Sequence, residues 1–267
     1  MIYCNLKGGL GNIIIQIAAT KSFAIDKGVD CSFPNLESQL NLINDEMLSN
    51  PKVKHAFEYL IMFEHLNTSA PNKAIPVINF PFEYADIQIP DTDCYINGFF
   101  QSEKYFKHNR ELLLDFFKIP DIINNKIIKK YSDILNVRTT SIHIRRGDYV
   151  NRYPNHHPTP TLQYFRESAN ELKSYTDLFI IFSDDIDWCK ENLNIDNSVY
   201  IEKERDYIEI YLMSLCNNNI ISNSSFSWWG AWLNNNEDKK VIGPKIWFGP
   251  EISFVSSDII PEAWIKK

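Results

Sequence analysis

Apolar and polar residues alternate with two different periods along the second half of the chain. Short apolar runs predict buried strands, and the longer amphipathic stretches between them predict helices. The predicted strands are residues 139–144, 178–182, 198–201, 219–222 and 241–242, and the predicted helices are residues 162–172, 186–193, 207–216 and 228–233. Strands that are apolar on both faces and alternate with helices are typical of a parallel sheet covered on both sides.

The first half of the chain begins with the same kind of unit. Residues 2–6 predict a strand, residues 7–12 form a glycine-rich turn, and residues 13–24 predict a helix. Glycines let a backbone approach a ligand closely, and a helix start offers free N–H groups to an anion. Many strand–helix turns use glycine without binding anything, so this turn alone is a weak indication of a ligand site.

Beyond this unit the pattern becomes irregular and then recovers. Prolines divide residues 31–90, where only one apolar helix, near residues 56–65, is predicted. A strand at 95–100 follows, then Ser102 as a candidate helix cap, and then a helix at 122–135. We therefore predict an α/β protein of two units joined near residue 136.

Composition narrows the classes of function. The 267 residues include 44% hydrophobic and 23% charged residues, which is ordinary for a globular protein, and the net charge of −7 argues against a general nucleic-acid binder. Five scattered cysteines form no metal-binding spacing, which favours unpaired thiols in a reducing compartment. Because the chain enters a strand at once and has no long apolar run, we expect a soluble, cytoplasmic protein, or one peripheral to a membrane.

Polar clusters follow three of the predicted strands in the second half. They are residues 143–148, 183–185 and 223–227, and in a doubly wound sheet such strand ends face one crevice. Two adjacent arginines, Arg145 and Arg146, suit a diphosphate, and serines at a helix start add further donors. The combination predicts an anion site inside an acidic protein.

Each of these features also has a purely structural interpretation. Ser224 or Ser225 could cap a helix, as could Asp184 or Asp185. His143 could be a satisfied core histidine. The three tryptophans of the last helix fit core packing better than a sugar-stacking platform: Trp228, Trp229 and Trp232.

Five sequence blocks resemble those of a known family, the family 11 glycosyltransferases, which are α-1,2-fucosyltransferases. They are GGLGN (8–12), GFFQSEKYF (98–106), HIRRGDY (143–149), FSDD (182–185) and SNSSFSWWGAW (222–232). The blocks occur in the family's order and span most of the chain. The third and fifth are specific enough that chance is an implausible explanation.

This resemblance implies a GT-B architecture, in which two Rossmann-like domains face each other across a cleft. Residues 1–135 would form the acceptor-side domain, and residues 136–267 the GDP-fucose-binding domain. The implied reaction is inverting transfer of L-fucose from GDP-fucose to the 2-hydroxyl of a terminal galactose on a glycan, without a metal or other cofactor. Another linkage or acceptor, or a non-catalytic nucleotide-sugar-binding protein, is the alternative.

The resemblance also assigns roles to individual residues. Arg145 would hold the β-phosphate of the departing GDP and Arg146 would brace the loop, while Asn12, beside Gly11, would reach the reacting centre. The general base remains open between Asp148, which could equally only orient the arginines, and His157. The donor-binding residues implied are Gly11, His143, Arg145, Arg146, Asp184, Asp185, Ser224, Ser225 and Phe226. One departure is Ile13, where the family usually has Gln; acceptor choice would change only if that Gln contacts the acceptor.

Two rival functions rest on shorter motifs. Asp-x-Asp triplets at 91–93 and 185–187 could hold Mn²⁺ in a metal-dependent transferase, although neither is accompanied by a second ligand cluster. The glycine turn could serve an NAD-type oxidoreductase, but it lacks a third glycine and an acidic residue after a second strand.

Overall fold

The computed structural model describes residues 1–47 and 56–267 of the chain; residues 48–55, within the segment predicted to be irregular, lie outside the described residues. Two compact units are present, one formed by residues 1–120 and 257–259 and the other by residues 121–256 and 260–267. Each unit contains one parallel sheet with helices.

The first unit has a four-stranded sheet in the order β2-β1-β4-β3. Its strands are β1 (Ile2–Cys4), β2 (Cys31–Ser32), β3 (Val77–Asn79) and β4 (Cys94–Asn97), and its helices are α1 (Leu10–Lys27), α2 (Leu36–Met47), α3 (Ala56–Phe63) and α4 (Arg110–Phe116). Helix α1 is rich in isoleucine, and most of these isoleucines are buried. Gly28 follows its last residue as the C-cap, with a φ of +62° that suits glycine. The predicted cap at Ser102 is confirmed, because its hydroxyl accepts from the Lys104 N–H.

The second unit has a six-stranded sheet in the order β10-β9-β8-β5-β6-β7. Its strands are β5 (Thr139–Ile144), β6 (Leu178–Ser183), β7 (Ser198–Tyr200), β8 (Asn218–Ile220), β9 (Val241–Gly243) and β10 (Ile265–Lys266). Its helices are α5 (Asp121–Leu135), α6 (Gly147–Asn151), α7 (Leu162–Leu172), α8 (Ile186–Asn192), α9 (Asp206–Ser214) and α10 (Ser225–Leu233). Strand β5 is buried on both faces, as its apolar and β-branched sequence predicts.

Helix α5 belongs to the second unit, so the boundary between the units lies one helix earlier than residues 135 and 136. The reason is a set of contacts that local sequence does not reveal. Lys130 and Tyr131 on α5 bind the carboxylate of Glu204, which precedes α9, at 2.7 and 2.6 Å. These interactions attach α5 to the segment before α9, and so to the second unit.

The three tryptophans of α10 lie in the core of the second unit. Trp228, Trp229 and Trp232 are almost fully buried, and their rings stack on one another. Gly230 lets α10 approach α9 closely, since a Cβ there would lie 2.9 Å from the Met213 side chain. The core interpretation of these tryptophans is therefore confirmed.

Candidate functional site

The carboxyl ends of β8, β5 and β6 lie side by side, because β5 pairs with both of its neighbours. The backbone N–H of Arg145 donates to Ser222 Oγ at 3.0 Å, and that hydroxyl donates to the His143 carbonyl at 2.6 Å. On the other side, Ser183 Oγ donates to the Ile144 carbonyl at 2.8 Å. The predicted meeting of three polar strand ends is confirmed.

Arg145 lies between two carboxylates at this junction. Its guanidinium is 2.7 Å from Asp148 Oδ1 and 3.1 Å from Asp184 Oδ2, and the side chain is 28% exposed. Burial lowers the pKa of Arg145, but the charges of Asp184 and Asp148 more than offset that effect, so the pKa is raised overall. The guanidinium is therefore permanently charged and remains reachable by a ligand.

Arg146 makes a different set of contacts, although it is the next residue. Its Nε lies 3.0 Å from Asp185 Oδ2, and its guanidinium carbon is 3.5 Å from the centre of the Trp188 ring on α8. The Arg146 backbone N–H donates to Asp184 Oδ1 at 2.8 Å. These interactions attach the loop to α8, which is the geometry of a brace.

A short helix, α6, follows the arginines, where the sequence analysis predicted no helix. It begins at Gly147, and a Cβ there would lie 2.6 Å from Asp184 Oδ2. A side chain at this position would therefore displace the carboxylate that contacts Arg145. The one-turn helix was missed because five residues that include a glycine carry no detectable periodicity.

His143 is buried at the end of β5, with its ring 5.2 Å from that of Phe226. Its Nδ1 is buried and makes no hydrogen bond within the described residues. Burial, assisted by the charge of Arg145, lowers the pKa of His143 to about 3. The imidazole is thus neutral at neutral pH, and its Nδ1 is left without a protein partner.

This neutral histidine makes the second unit sensitive to acid. The unfolded chain binds a proton near pH 6.5 and the folded chain only near pH 3, so stability falls as the pH decreases through this window. We expect His143 to account for a loss of about 2 kcal/mol between pH 6.5 and 5. Urea unfolding followed by tryptophan fluorescence, which reports only on the second unit, should show a shallower pH dependence in His143→Phe; an unchanged dependence would contradict this account.

The serine cluster lies at the start of α10. Ser224 is buried and its hydroxyl makes no capping hydrogen bond, whereas Ser225 and Phe226 are partly exposed. Ser227 Oγ donates back to the Ser224 carbonyl at 3.3 Å. A helix start leaves its first N–H groups without intrahelical partners, so this end can receive an anion.

A second side of the site is formed by the loop that contains His157. The imidazole of His157 stacks on Tyr149 with ring centres 4.7 Å apart, and its Nδ1 is buried without a partner in the described structure. Burial lowers the pKa of His157, Asp148 raises it, and Arg145 lowers it further, giving a net decrease. His157 is therefore neutral at pH 7 and can accept a proton.

Asn223 connects this loop to the strand junction. Its Nδ2 donates to the carbonyls of Pro158 and Trp247, both at 3.0 Å, and its own carbonyl accepts from the Tyr149 hydroxyl at 3.1 Å. Gly249 packs against the same loop so closely that a Cβ would lie 1.9 Å from the Asn155 carbonyl oxygen. The histidine is thus held by fixed backbone rather than by a free loop.

Glu209 on α9 is an acidic residue, influenced by the charges of the site, that the sequence analysis did not single out. Burial raises the pKa of Glu209 well above its usual value, and the charges of Asp206, Glu204 and Asp184 raise it further. The charge of Asp184 acts on this carboxyl group, so Glu209 is linked electrostatically to the carboxylate that contacts Arg145. The available signal was a lone carboxylate within the apolar run of α9.

The glycine turn of the first unit is organised around Asn12. Helix α1 already begins at Leu10, so Gly11 and Asn12 lie in its first turn. Asn12 Oδ1 accepts from Gln101 Nε2 at 3.2 Å, and its carbonyl accepts from Gln16 Nε2 at 2.8 Å. Gly8, with a φ of +83°, would place a Cβ 2.7 Å from the Asn12 amide, so glycine is required there.

The side chain of Ile13 is fully buried in the core of the first unit. It contacts no solvent, and a glutamine at this position would be buried too unless the start of the helix moved. The departure at Ile13 is therefore a packing difference in this structure.

The two Asp-x-Asp triplets are already engaged with cations. Asp91 and Asp93 pair with Lys27 and with the chain's amino group, at 2.8 and 2.6 Å. Asp185 pairs with Arg146, as described above. No group of three or more metal-ligating side chains occurs among the described residues.

The cysteines and the hydropathy of the helices were also subjects of the sequence analysis. All five cysteines are unpaired thiols, as predicted. In the part of the chain that the structure describes, no helix combines the length and apolar character that a bilayer crossing requires.

Comparison with solved structures confirms the GT-B fold class. The chain is similar to the fucosyltransferase NodZ from Bradyrhizobium, with a TM-score of 0.56 and 11% identity over 86% of this chain and 91% of that one. It is also similar to POFUT1 in complex with GDP, with a TM-score of 0.51 and 12% identity over 89% and 95% of the two chains. At such low identity these likenesses concern the fold alone.

Sequence comparison gives nearer relatives. The chain is 28% identical to the O-antigen biosynthesis glycosyltransferase WbnK of Escherichia coli, over 99% of this chain and all of the relative. It is 38% identical to an alpha-1,2-colitosyltransferase of Escherichia coli, over 63% of this chain and 61% of the relative. The model of glycosyl transferase family 11 matches residues 58–266. That match covers well over half of the chain, and the protein therefore belongs to glycosyl transferase family 11 and is a glycosyltransferase.

Proposed function

We propose that this glycosyltransferase transfers L-fucose from GDP-fucose to the 2-hydroxyl of a terminal galactose on a glycan, with inversion and without a metal ion. The observation that carries the proposal is Arg145, which is held at the junction of three strand ends by Ser222, three residues before α10 begins. A permanently charged guanidinium and the free N–H groups of a helix start both suit a nucleotide diphosphate.

The reaction is a single displacement at the anomeric carbon of the donor. The acceptor oxygen forms a bond to that carbon while the bond to the β-phosphate oxygen breaks, and the electron pair leaves with GDP. Arg145 stabilises the charge that develops on the phosphate, together with Ser224, Ser225 and the N–H groups of α10. The proton of the acceptor hydroxyl passes to a general base.

We assign the general base to His157 and an orienting role to Asp148. The carboxylate of Asp148 is committed to Arg145 at 2.7 Å, whereas His157 is neutral, stacked on Tyr149 and free of any ion pair among the described residues. A base whose pKa lies below neutrality is in its proton-accepting form at pH 7.

The remaining donor contacts follow from hydrogen-bonding chemistry. Guanine and ribose present N–H and O–H donors, and acidic side chains beside the diphosphate site supply acceptors. These are Asp184 and Asp185, with Arg146 as their brace and the unpaired His143 Nδ1 and the Phe226 ring nearby.

The 38% identical relative points to a second donor sugar for this protein. That protein is a colitosyltransferase, and colitose is the 3-deoxy analogue of L-fucose. GDP-colitose would use the same diphosphate and guanosine contacts, so only groups near the 3-hydroxyl would distinguish the two donors. We therefore expect competition between GDP-fucose and GDP-colitose for one site.

Measuring GDP release with each donor across a panel of β-galactosides tests the proposal. We expect release that depends on both GDP-fucose and the acceptor and that persists in EDTA, with a 2-linked fucose in the product by NMR. Binding of GDP without turnover would indicate a non-catalytic nucleotide-sugar-binding protein. Loss of activity in EDTA that Mn²⁺ restores would contradict the metal-free mechanism.

A further inference from the structure

We propose that the carboxyl ends of β1, β4 and β3 in the first unit form a binding site for a pyranose of the acceptor glycan. The central residues are Lys7, Asn97, Asn79 and Phe99. This inference rests on the proposed transferase function, but it concerns a different group of side chains from the donor site and uses contacts within the first unit only.

A ladder of polar side chains crosses three adjacent strand ends. Lys7 Nζ donates to Asn97 Oδ1 at 2.9 Å, and Asn97 Nδ2 donates to Asn79 Oδ1 at 2.8 Å. Asn79 and Asn97 are the last residues of β3 and β4 and are partners in the sheet register. The ladder lies at the edge of a parallel sheet where ligands characteristically bind.

Two aromatic rings lie beside this ladder. The Phe99 ring is 4.6 Å from Lys7 Nζ and 6.1 Å from the Phe82 ring, and both phenylalanines are only partly buried. The aliphatic C–H face of a pyranose packs on such rings, while its hydroxyls bind the neighbouring amide and ammonium groups.

The backbone that presents Phe99 is held in an unfavourable conformation. Phe100 has a φ of +52°, which is a costly value for a non-glycine aromatic residue. Its fully buried ring packs against Phe23, Phe80 and Tyr105, which holds the residue in place. This turn keeps Phe99 partly exposed between the buried residues Gly98 and Phe100.

The ladder leaves hydrogen-bonding capacity unused. Among the described residues, the amide N–H groups of Asn79 have no acceptor, and the one hydrogen bond of Lys7 Nζ is to Asn97, so two of its three N–H groups are free. If the two asparagines and the lysine only stabilised the edge of the sheet, the partly exposed ring of Phe99 beside them would have no purpose. These free N–H donors suit a sugar, because each sugar hydroxyl offers an oxygen that can accept a hydrogen bond.

The test uses Asn79→Ala, Lys7→Met and Phe99→Ala, with lactose and N-acetyllactosamine as acceptors and GDP-fucose as donor. We expect the acceptor KM to rise about tenfold in each variant, as the loss of one or two hydrogen bonds or a stacking surface implies. The KM for GDP-fucose and its slow hydrolysis without acceptor should stay at the wild-type values. Lys27→Met is the matched control, because Lys27 is also partly exposed and bound to one side chain, Asp91, in the same unit.

The outcomes separate the two proposals. If the wild-type protein transfers fucose to neither galactoside, the proposed function fails. If the wild type transfers fucose and all three variants keep its acceptor KM, or if their effect falls on GDP-fucose instead, the binding site is wrong while the transferase function stands. Because Asn79 and Phe99 are not core residues, near-UV circular dichroism of their variants will show whether the first unit remains folded.

Discussion

Replacing Arg145 with alanine is expected to lower kcat/KM by at least about 100-fold, corresponding to about 3 kcal/mol of transition-state stabilisation. The guanidinium is the charge at the strand junction that can compensate a departing diphosphate. Its removal also leaves Asp148 and Asp184 facing the anion without a cation between them. Steady-state rates with GDP-fucose and a galactoside, and calorimetric titration of GDP, measure the two effects separately.

Arg138→Ala is the matched control for this experiment. Arg138 immediately precedes the same strand, β5, and is paired with Asp177 at 2.6 Å, but it lies at the opposite end of the strand from Arg145. We expect wild-type rates in this control and an intermediate rate in Arg145→Lys, which keeps the charge but loses the planar fork. A rate within about tenfold of wild type in Arg145→Ala would contradict the proposed role. Tryptophan fluorescence verifies folding of the second unit.

Replacing His157 with phenylalanine is expected to lower kcat by about 100- to 10,000-fold, the usual contribution of a general base. The phenyl ring preserves the stack on Tyr149 but cannot accept a proton. GDP affinity should change little, because the imidazole is uncharged at pH 7. This combination distinguishes a lost base from a damaged donor site.

The pH profile gives an independent measurement of the same role. Burial lowers the pKa of His157 below 6.5, so the proton-accepting form predominates above that pH and is lost only as the pH decreases further. We expect the wild-type kcat to be level from pH 7 to 8 and to decline below a pKa under 6.5. The residual activity of His157→Phe should lack this decline.

Asp148→Asn provides the contrasting result. Neutralising this carboxylate removes a competitor for Arg145 at the diphosphate site, which should tighten GDP binding while kcat falls by less than about tenfold. A loss of kcat as large as that of His157→Phe, with GDP binding unchanged, would assign the base to Asp148 instead.

Elements with a strong local signature were predictable to the residue. Strand β5 and helix α7 occur at their predicted bounds, because four of the six residues of β5 are β-branched and Thr161 caps α7 by accepting from the Tyr164 N–H. Helix α10 begins at Ser225, three residues before its prediction, since consecutive serines resemble a turn. Strand β3 was missed, because three mostly exposed residues form a strand only through pairing with β4.

Sequence alone determined that three polar strand ends share one edge, because parallel strands in register must end on the same side. The polar cluster from His143 to Asp148 was identifiable from the sequence as a basic loop at the carboxyl end of a strand. Only the tertiary structure decided how its charges are distributed. Arg145 lies between Asp148 and Asp184, and Arg146 is directed onto Trp188.

The same distinction applies to residues whose roles depend on distant parts of the chain. The pKa of Glu209 is raised in part by the charge of Asp184, 25 residues earlier in the chain, and Ile13 is a core residue because the first turn of α1 is buried. Local periodicity reports which face of an element is buried, and it was sufficient for the fold class. Contacts between side chains that are tens of residues apart depend on strand order and helix packing, which no short pattern encodes.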